Sequence, residues 1–128
     1  MNKTLLIIED NEQNMYMMKF LLEKHGFNVL CTYTGDEGIA KAVEHKPSGI
    51  LLDIQLPGKD GYQVAAELKS IQDISKIPII VVTSYAMVGD RKKSLLAGAD
   101  GYIEKPIDPE TFVSDICKHL EHPGSQEG

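Results

Sequence analysis

The sequence alternates between short runs of consecutive apolar residues and longer amphipathic stretches. The runs are rich in β-branched residues and predict strands at Leu5–Ile8, Phe27–Thr32, Ile50–Asp53, Ile79–Thr83 and Gly101–Ile103. Strands that are apolar on successive residues are typical of a parallel sheet covered on both faces. The stretches between them predict helices at about 12–25, 36–46, 61–70, 87–97 and 109–120. This alternation predicts a doubly wound α/β fold, in which helices cover both faces of a five-stranded parallel sheet.

Residues at the helix ends support these boundaries. Asn11 and Asp108 stand where the N-caps of the first and fifth helices are expected. Pro109 would then take the first helical position, where its missing N–H has no cost. Gly26 and Gly98 follow helices and suit left-handed C-caps.

Size and composition favour one globular domain. The chain has 128 residues, of which 42% are hydrophobic and 25% charged, as in ordinary globular domains. We expect a domain over residues 1–121 and a flexible tail over 122–128, which contains Pro and Gly. The apolar runs are too short to cross a membrane. With no signal-peptide pattern and only two cysteines, the expected location is the cytoplasm.

The charge balance argues against binding to nucleic acid. The net charge is −6, and the densest basic segment is Arg91-Lys92-Lys93 on a predicted helix. Such a segment is typical of a solvated helix face, whereas nucleic-acid binding requires a basic surface that neutralises phosphates.

Polar residues follow the predicted strands at the edge of the sheet where sites form in this fold class. The first strand ends in Glu9-Asp10, the third in Asp53, the fourth in Thr83-Ser84 and the fifth in Glu104-Lys105-Pro106. Carboxylates this close repel each other unless a cation neutralises them. Because all the donors are hard oxygens, the pattern predicts Mg²⁺, with Mn²⁺ as a possible substitute.

The same edge predicts chemistry on phosphate. Lys105 can neutralise a phosphoryl oxygen or pair with the carboxylates, and Pro106 restricts the backbone at that point. Thr83 can donate a hydrogen bond to a phosphoryl oxygen. An aspartate can act as a nucleophile on phosphorus and form an acyl phosphate.

These residues together resemble a known family. The motifs are Glu9-Asp10, the segment DIQLPGKDG from Asp53 to Gly61, Thr83, and the segment YIEKP from Tyr102 to Pro106. In order and spacing they resemble the receiver domain of two-component response regulators, over about residues 3–121. The resemblance implies the CheY-like, flavodoxin-like (βα)5 fold with strand order 2-1-3-4-5.

The resemblance also implies roles for individual residues. Asp53 is the phosphoacceptor, which takes a phosphoryl group from a phosphohistidine on a histidine kinase or phosphotransfer protein. Asp10, Asp53 and the backbone carbonyl of Gln55 bind Mg²⁺ directly, and Glu9 binds it through water. Thr83 and Lys105 sense the phosphoryl group, and Tyr102 is the aromatic switch. The residues that shape the site are Ser84, Pro106, Pro57 and Gly61, the last through an unusual backbone angle.

Two positions bear on the lifetime of the phosphorylated form. Gln55 and Tyr85 occupy the positions that influence attack by water in this family, and neither is a carboxylate. We therefore expect slow self-dephosphorylation. Ser84 stands where the family usually has Ala, and its hydroxyl still fits.

The resemblance implies that output passes through protein contacts. The expected output face consists of the fourth helix, fifth strand and fifth helix, including Tyr102, with Met87 and Val88 as added apolar surface. With no second domain in 128 residues, we expect a stand-alone regulator that is a monomer or weak dimer.

The first helix carries more apolar residues than one core stripe needs. We assign Met17, Met18, Leu21 and Leu22 to the core. The surplus residues, Met15, Tyr16 and Phe20, would place at least one apolar side chain on the surface, where a partner helix could dock.

The sequence leaves other functions open. A phosphohydrolase with an aspartate nucleophile would need a second acid at position 55, which is Gln55. A mononucleotide-binding protein would need a phosphate-binding loop in place of Glu9-Asp10. A phosphorylation-independent adaptor, or a receiver fragment of a hybrid histidine kinase, would share the receiver motifs.

Overall fold

The computed structural model describes residues 3–84 and 89–121. Five strands and five helices alternate along the chain: β1 (Thr4–Ile8), α1 (Glu12–Lys24), β2 (Asn28–Thr32), α2 (Gly35–His45), β3 (Gly49–Leu52), α3 (Gly61–Ser70), β4 (Ile79–Thr83), α4 (Asp90–Leu96), β5 (Gly101–Glu104) and α5 (Phe112–Glu121). One 3-10 turn, Gln72–Ile74, lies between α3 and β4. The strands pair in parallel in the order β2-β1-β3-β4-β5, which confirms the predicted fold.

Alternate residues of the central strands supply two separate apolar layers. One layer joins the sheet to α1 and α5 and includes Leu5, Ile7, Leu51, Ile80, Val82, Met18 and Phe112. The other joins it to α2 and α3 and includes Leu6, Ile8, Ile50, Ile79, Ala42 and Val64. The central strands are buried on both faces, as their continuous apolar runs predict.

Most predicted helix ends are confirmed. The side chain of Asn11 accepts a hydrogen bond from Asn14 N at 2.9 Å, and Gly26 and Gly98 have φ values of +93° and +108°. The start of the fifth helix is wrong, because α5 begins at Phe112. Before it, Asp108 Oδ1 accepts from Glu110 N at 2.9 Å, so Pro109 lies in a turn and not in the first helical position.

The predicted division of α1 into core and surface is wrong for Met15 and Met17 and confirmed for Met18 and Leu22. Met15 is buried with Met18 and Leu22, whereas Met17 is 43% exposed. Tyr16 and Phe20 are exposed as expected and stack on each other, with ring centroids 6.4 Å apart.

In residues 3–84 and 89–121, no helix is long and apolar enough to cross a membrane. Tyr85, Met87, Val88 and the predicted tail 122–128 lie outside the described residues.

Candidate functional site

The sheet brings the predicted strand-end residues to one edge. Backbone hydrogen bonds continue past the strands: Asp53 N donates to Ile8 O at 3.0 Å and Glu9 N to Thr32 O at 3.0 Å. At the next pair of strands, Lys105 N donates to Thr83 O at 2.9 Å. The backbone of each residue is thereby fixed relative to the neighbouring strand.

Three carboxylates lie together at this edge. Glu9, Asp10 and Asp53 each offer an oxygen atom, and these atoms lie within 4.8 Å of one another. Glu9 is 1% and Asp53 7% exposed, whereas Asp10 is exposed to solvent. Three negative charges at this distance require a cation for stability.

Lys105 supplies one positive charge to this cluster. Its Nζ lies 2.5 Å from Glu9 Oε1 and 3.4 Å from Asp53 Oδ2. The side chain is nine-tenths buried, and the peptide bond to Pro106 is cis. One ammonium group cannot neutralise three carboxylates, so the cluster keeps a net negative charge when all three are ionised.

Glu9 is held from both sides of its carboxylate. Lys105 Nζ donates to Oε1, and the backbone N of Asn11 donates to Oε2 at 3.2 Å. Burial raises the pKa of Glu9, and the negative charge of Asp53 raises it further, whereas the hydrogen bond from Lys105 opposes the shift. Both of its oxygens are therefore already engaged by protein donors.

The cleft around the carboxylates is open to solvent and polar. Gln55 and Ser84 line it, as the sequence predicts, together with Asn11 and Asn14. Gln55 N donates to Asp53 Oδ1 at 3.2 Å, which fixes the Asp53 carboxylate. The sequence interpretation missed Asn14, which lies in the first turn of α1 and lines the same cleft as Asp10.

The predicted sensing and switch residues lie on neighbouring strands. Thr83 is fully buried at the end of β4. Tyr102 on β5 pairs with Val81 and is 7% exposed. It packs in a small apolar cluster with Ile54 and Ala99. Thr83 and Tyr102 therefore lie on the same face of the sheet.

The loop after Asp53 differs from the prediction in one respect. Gly61 does not have the unusual backbone angle; that angle occurs at Gly58, with φ +80°. Gly61 is needed for space, because a Cβ there would lie 2.5 Å from Asp53 O and from Ile54 Cα. Pro57 is exposed on the same loop.

A second, apolar groove adjoins the acidic cleft. Asn14 and Lys105 line both, and the groove continues along Met17, Pro106 and Ile107. It leads to the exposed surface of α1, where Tyr16, Met17 and Phe20 form a patch. Acidic and apolar surfaces are thus continuous.

The donor set of the acidic cleft fits a hard divalent cation. Carboxylate oxygens are the preferred ligands of Mg²⁺, and one open side leaves room for the waters that this ion keeps. Within the described part of the chain, Glu9, Asp10 and Asp53 form the one group of side chains close enough to hold a metal ion.

Comparisons with known proteins agree with this geometry. The model of the response regulator receiver domain matches residues 5–117. The polar-differentiation response regulator DivK of Brucella ovis and that of Brucella abortus are each 40% identical over 120 residues, covering 94% of this chain and 98% of the relative.

Solved structures give the same result. A CheY-like receiver domain protein from Methanospirillum hungatei has 31% identity and a TM-score of 0.87, with both chains fully covered. The receiver domain of the sensor histidine kinase PA1611 from Pseudomonas aeruginosa, which has a magnesium ion coordinated in its active-site cleft, has 27% identity and a TM-score of 0.86, with 94% of this chain and 99% of that chain covered. The chain belongs to the response regulator receiver domain family, whose members act in signalling.

Proposed function

We propose that Asp53 accepts a phosphoryl group from a phosphohistidine on a histidine kinase or phosphotransfer protein. The observation that carries the proposal is the position of Asp53: its carboxylate is nearly buried, 3.4 Å from the ammonium of Lys105, in a cluster of acids. A carboxylate oxygen of Asp53 attacks phosphorus, the P–N bond to the histidine breaks, and the imidazole keeps the electron pair. The product is an acyl phosphate.

The same cluster is the proposed magnesium site. Asp10, Asp53 and the backbone carbonyl of Gln55 would hold Mg²⁺ directly, and Mn²⁺ could replace it. Glu9 would act through water, because both of its oxygens already accept hydrogen bonds from Lys105 and Asn11. When bound, the cation neutralises charge on the phosphoryl oxygens and on the carboxylates.

We assign recognition of the phosphoryl group to Thr83 and Lys105. Thr83 can donate a hydrogen bond from its hydroxyl group to a phosphoryl oxygen, and Lys105 can exchange one carboxylate partner for a phosphoryl oxygen. Tyr102 lies on the same face as Thr83 and one strand away, so it is placed to respond to a movement of Thr83. The change would reach a downstream protein through α4, β5 and α5.

The surface of α1 is the proposed docking site for the phosphoryl donor. Phosphohistidine domains present the histidine on a helical bundle, and a helix can lie in the apolar groove along Met17, Pro106 and Ile107. The groove adjoins the acidic cleft, which would place the donor histidine beside Asp53. The exposed rings of Tyr16 and Phe20 extend this surface.

Slow hydrolysis of the acyl phosphate belongs to the same proposal. Gln55 borders the cleft and has no acidic group to orient an attacking water. We propose that the receiver promotes its own phosphorylation and dephosphorylation and acts as a signalling domain, not as an enzyme.

The test is the intact mass after incubation with acetyl phosphate, with and without Mg²⁺. We expect the wild type to gain one phosphoryl group only when Mg²⁺ is present, and Asp53→Asn to gain none, because an amide is not a nucleophile for this step. Asp73→Asn is the matched control, because Asp73 is exposed on the 3-10 turn after α3. Equal labelling of Asp53→Asn and the wild type would refute the assignment of Asp53.

A further inference from the structure

Helix α4 is weakly anchored by apolar contacts. Of the side chains from Arg91 to Leu96, all of them described, only Ser94 is buried, and Leu96 is 79% exposed. The helix has seven residues, and its N-cap, Gly89, has φ +93° and makes no side-chain capping bond. A surface helix usually owes its position to a buried apolar stripe, so α4 must be held largely by other contacts.

Two cationic side chains of α4 lie over tyrosine rings. Arg91 Cζ is 5.3 Å from the centroid of Tyr102, and Lys93 Nζ is 4.6 Å from the centroid of Tyr62. Both distances lie within the range of a favourable cation–π interaction. Both rings belong to the apolar cluster that also contains Val81.

The two rings belong to the two chain segments that adjoin Asp53 and Lys105 in the acidic cleft. Tyr62 follows Gly61, whose N–H donates to Ile54 O at 2.7 Å. Ile54 is the residue directly after Asp53. Tyr102 lies on β5, three residues before Lys105. A change in the position of either segment therefore moves a ring on which α4 is held.

We propose that Arg91 on Tyr102 and Lys93 on Tyr62 form a two-point clamp, which fixes α4 and loosens when the segments bearing the rings shift. The loosening step rests on the proposed function, because phosphorylation of Asp53 is the event that would shift these segments. The clamp itself is a property of the unphosphorylated chain. It makes α4 a regulated element of the output face.

Amide hydrogen exchange of the unmodified protein tests the clamp. Ala97 N–H, which donates to Lys93 O at 3.0 Å, reports the last turn of α4. We expect Lys93→Gln to increase its exchange rate about two- to fivefold, the factor that corresponds to one exposed cation–π contact. Lys93→Arg, which keeps the cation, should stay close to the wild type.

The matched control is Lys92→Gln. Lys92 is the exposed neighbour on the same helix and contacts no ring within the described residues. Lys92→Gln makes the same change of charge and residue type as Lys93→Gln. In a Tyr62→Leu background, Lys93→Gln should have no added effect, since the ring is already absent. The clamp is refuted if Lys92→Gln and Lys93→Gln accelerate exchange equally, or if Lys93→Gln has its full effect without the ring of Tyr62.

A second arm tests the loosening. After acetyl phosphate, with labelling verified by intact mass, Ala97 N–H of the wild type should exchange faster. In Arg91→Gln/Lys93→Gln it should already be fast and change less than twofold. An equal acceleration in both proteins would refute the loosening. Absence of labelling would instead count against the proposed function, and the unmodified protein would still decide on the clamp.

Discussion

Helices α3 and α4 pack on the same face of the sheet but are held there differently. Helix α3 begins with a capping box, in which Asp60 and Gln63 each accept a backbone hydrogen bond from the other. It buries Gly61, Val64, Ala65 and Leu68. Helix α4 begins at a left-handed glycine without a side-chain cap and buries Ser94 alone among its residues 91–96.

The difference matches what each helix does in the proposed mechanism. The start of α3 must keep the loop after Asp53 fixed, because the acceptor carboxylate has to stay in the cluster of acids. Helix α4 has to move when the signal leaves the site, and motion is easier where few apolar contacts are lost. We infer that stability is graded along this face of the sheet, from the firmly anchored α3 to the weakly anchored α4.

The largest effect is expected from Gly61→Ala at the start of α3. The new methyl group would lie 2.5 Å from the backbone of Asp53 and Ile54. Neither residue can move away without shifting the loop after Asp53. We expect a loss of about 2–3 kcal/mol in the free energy of unfolding, as for overpacked sites. Urea unfolding measures it, and the yield of acetyl phosphate labelling should fall as well.

Gly89→Ala is the corresponding change at α4. Its Cβ would have no neighbour within 4 Å among the described residues, where only the φ of +93° is unfavourable. The expected cost is about 1–2 kcal/mol, the strain of a left-handed residue with a side chain. If Gly89→Ala cost as much as Gly61→Ala, the proposed gradient would be wrong.

A smaller effect is expected from Asp60→Ala, which removes the capping box. The Asp60 Oδ1 bond to Gln63 N, at 3.0 Å, is lost, and N-cap replacement of this kind costs about 1 kcal/mol. Hydrogen exchange should accelerate at Val64 N–H, which donates to Asp60 O at 3.1 Å. Asp73→Ala serves as a control with no cap to lose, and equal exchange at Val64 in the two variants would contradict the capping role.

The smallest effect, of opposite sign, is expected from Ser94→Ala in α4. Ser94 is 1% exposed, and its hydroxyl has no hydrogen-bond partner among the described residues. Alanine removes the buried hydroxyl and favours the helix, so we expect a gain of about 0.5–1 kcal/mol. Ser70→Ala in α3, where the hydroxyl bonds to Glu67 O at the exposed helix end, should change little. A loss of stability in Ser94→Ala would contradict the prediction.

Much of the site follows from the sequence, because it depends on where strands end. Parallel strands present their carboxyl ends at one edge, so Glu9, Asp53 and Lys105 meet there whatever the side-chain packing. Contacts between residues up to four positions apart could also be predicted from the sequence, such as the N-cap at Asn11. The prediction for Gly61 failed because the residue pattern suggests a turn with an unusual backbone angle. Glycine is instead needed there because the backbone of another segment approaches closely.

The sequence did not determine which methionine of α1 enters the core. Met15, Met17 and Met18 have the same side chain, and apolar spacing allows more than one orientation of the helix. Packing against the sheet and α5 selected Met15 and Met18 and left Met17 at the surface. The sequence also did not determine whether Lys105 pairs more closely with Glu9 or with Asp53, since this depends on distances between separate strands.

The sequence by itself determined the alternating α/β fold, the acidic edge and the family, because these depend on local periodicity and on residues fixed to strand ends. The tertiary structure decided how the surface works. The stacking of Arg91 on Tyr102 and of Lys93 on Tyr62 joins residues 11 and 31 positions apart. Such contacts arise only when the sheet places α4 over the rings, since side chains this distant in sequence meet through packing and not through local periodicity.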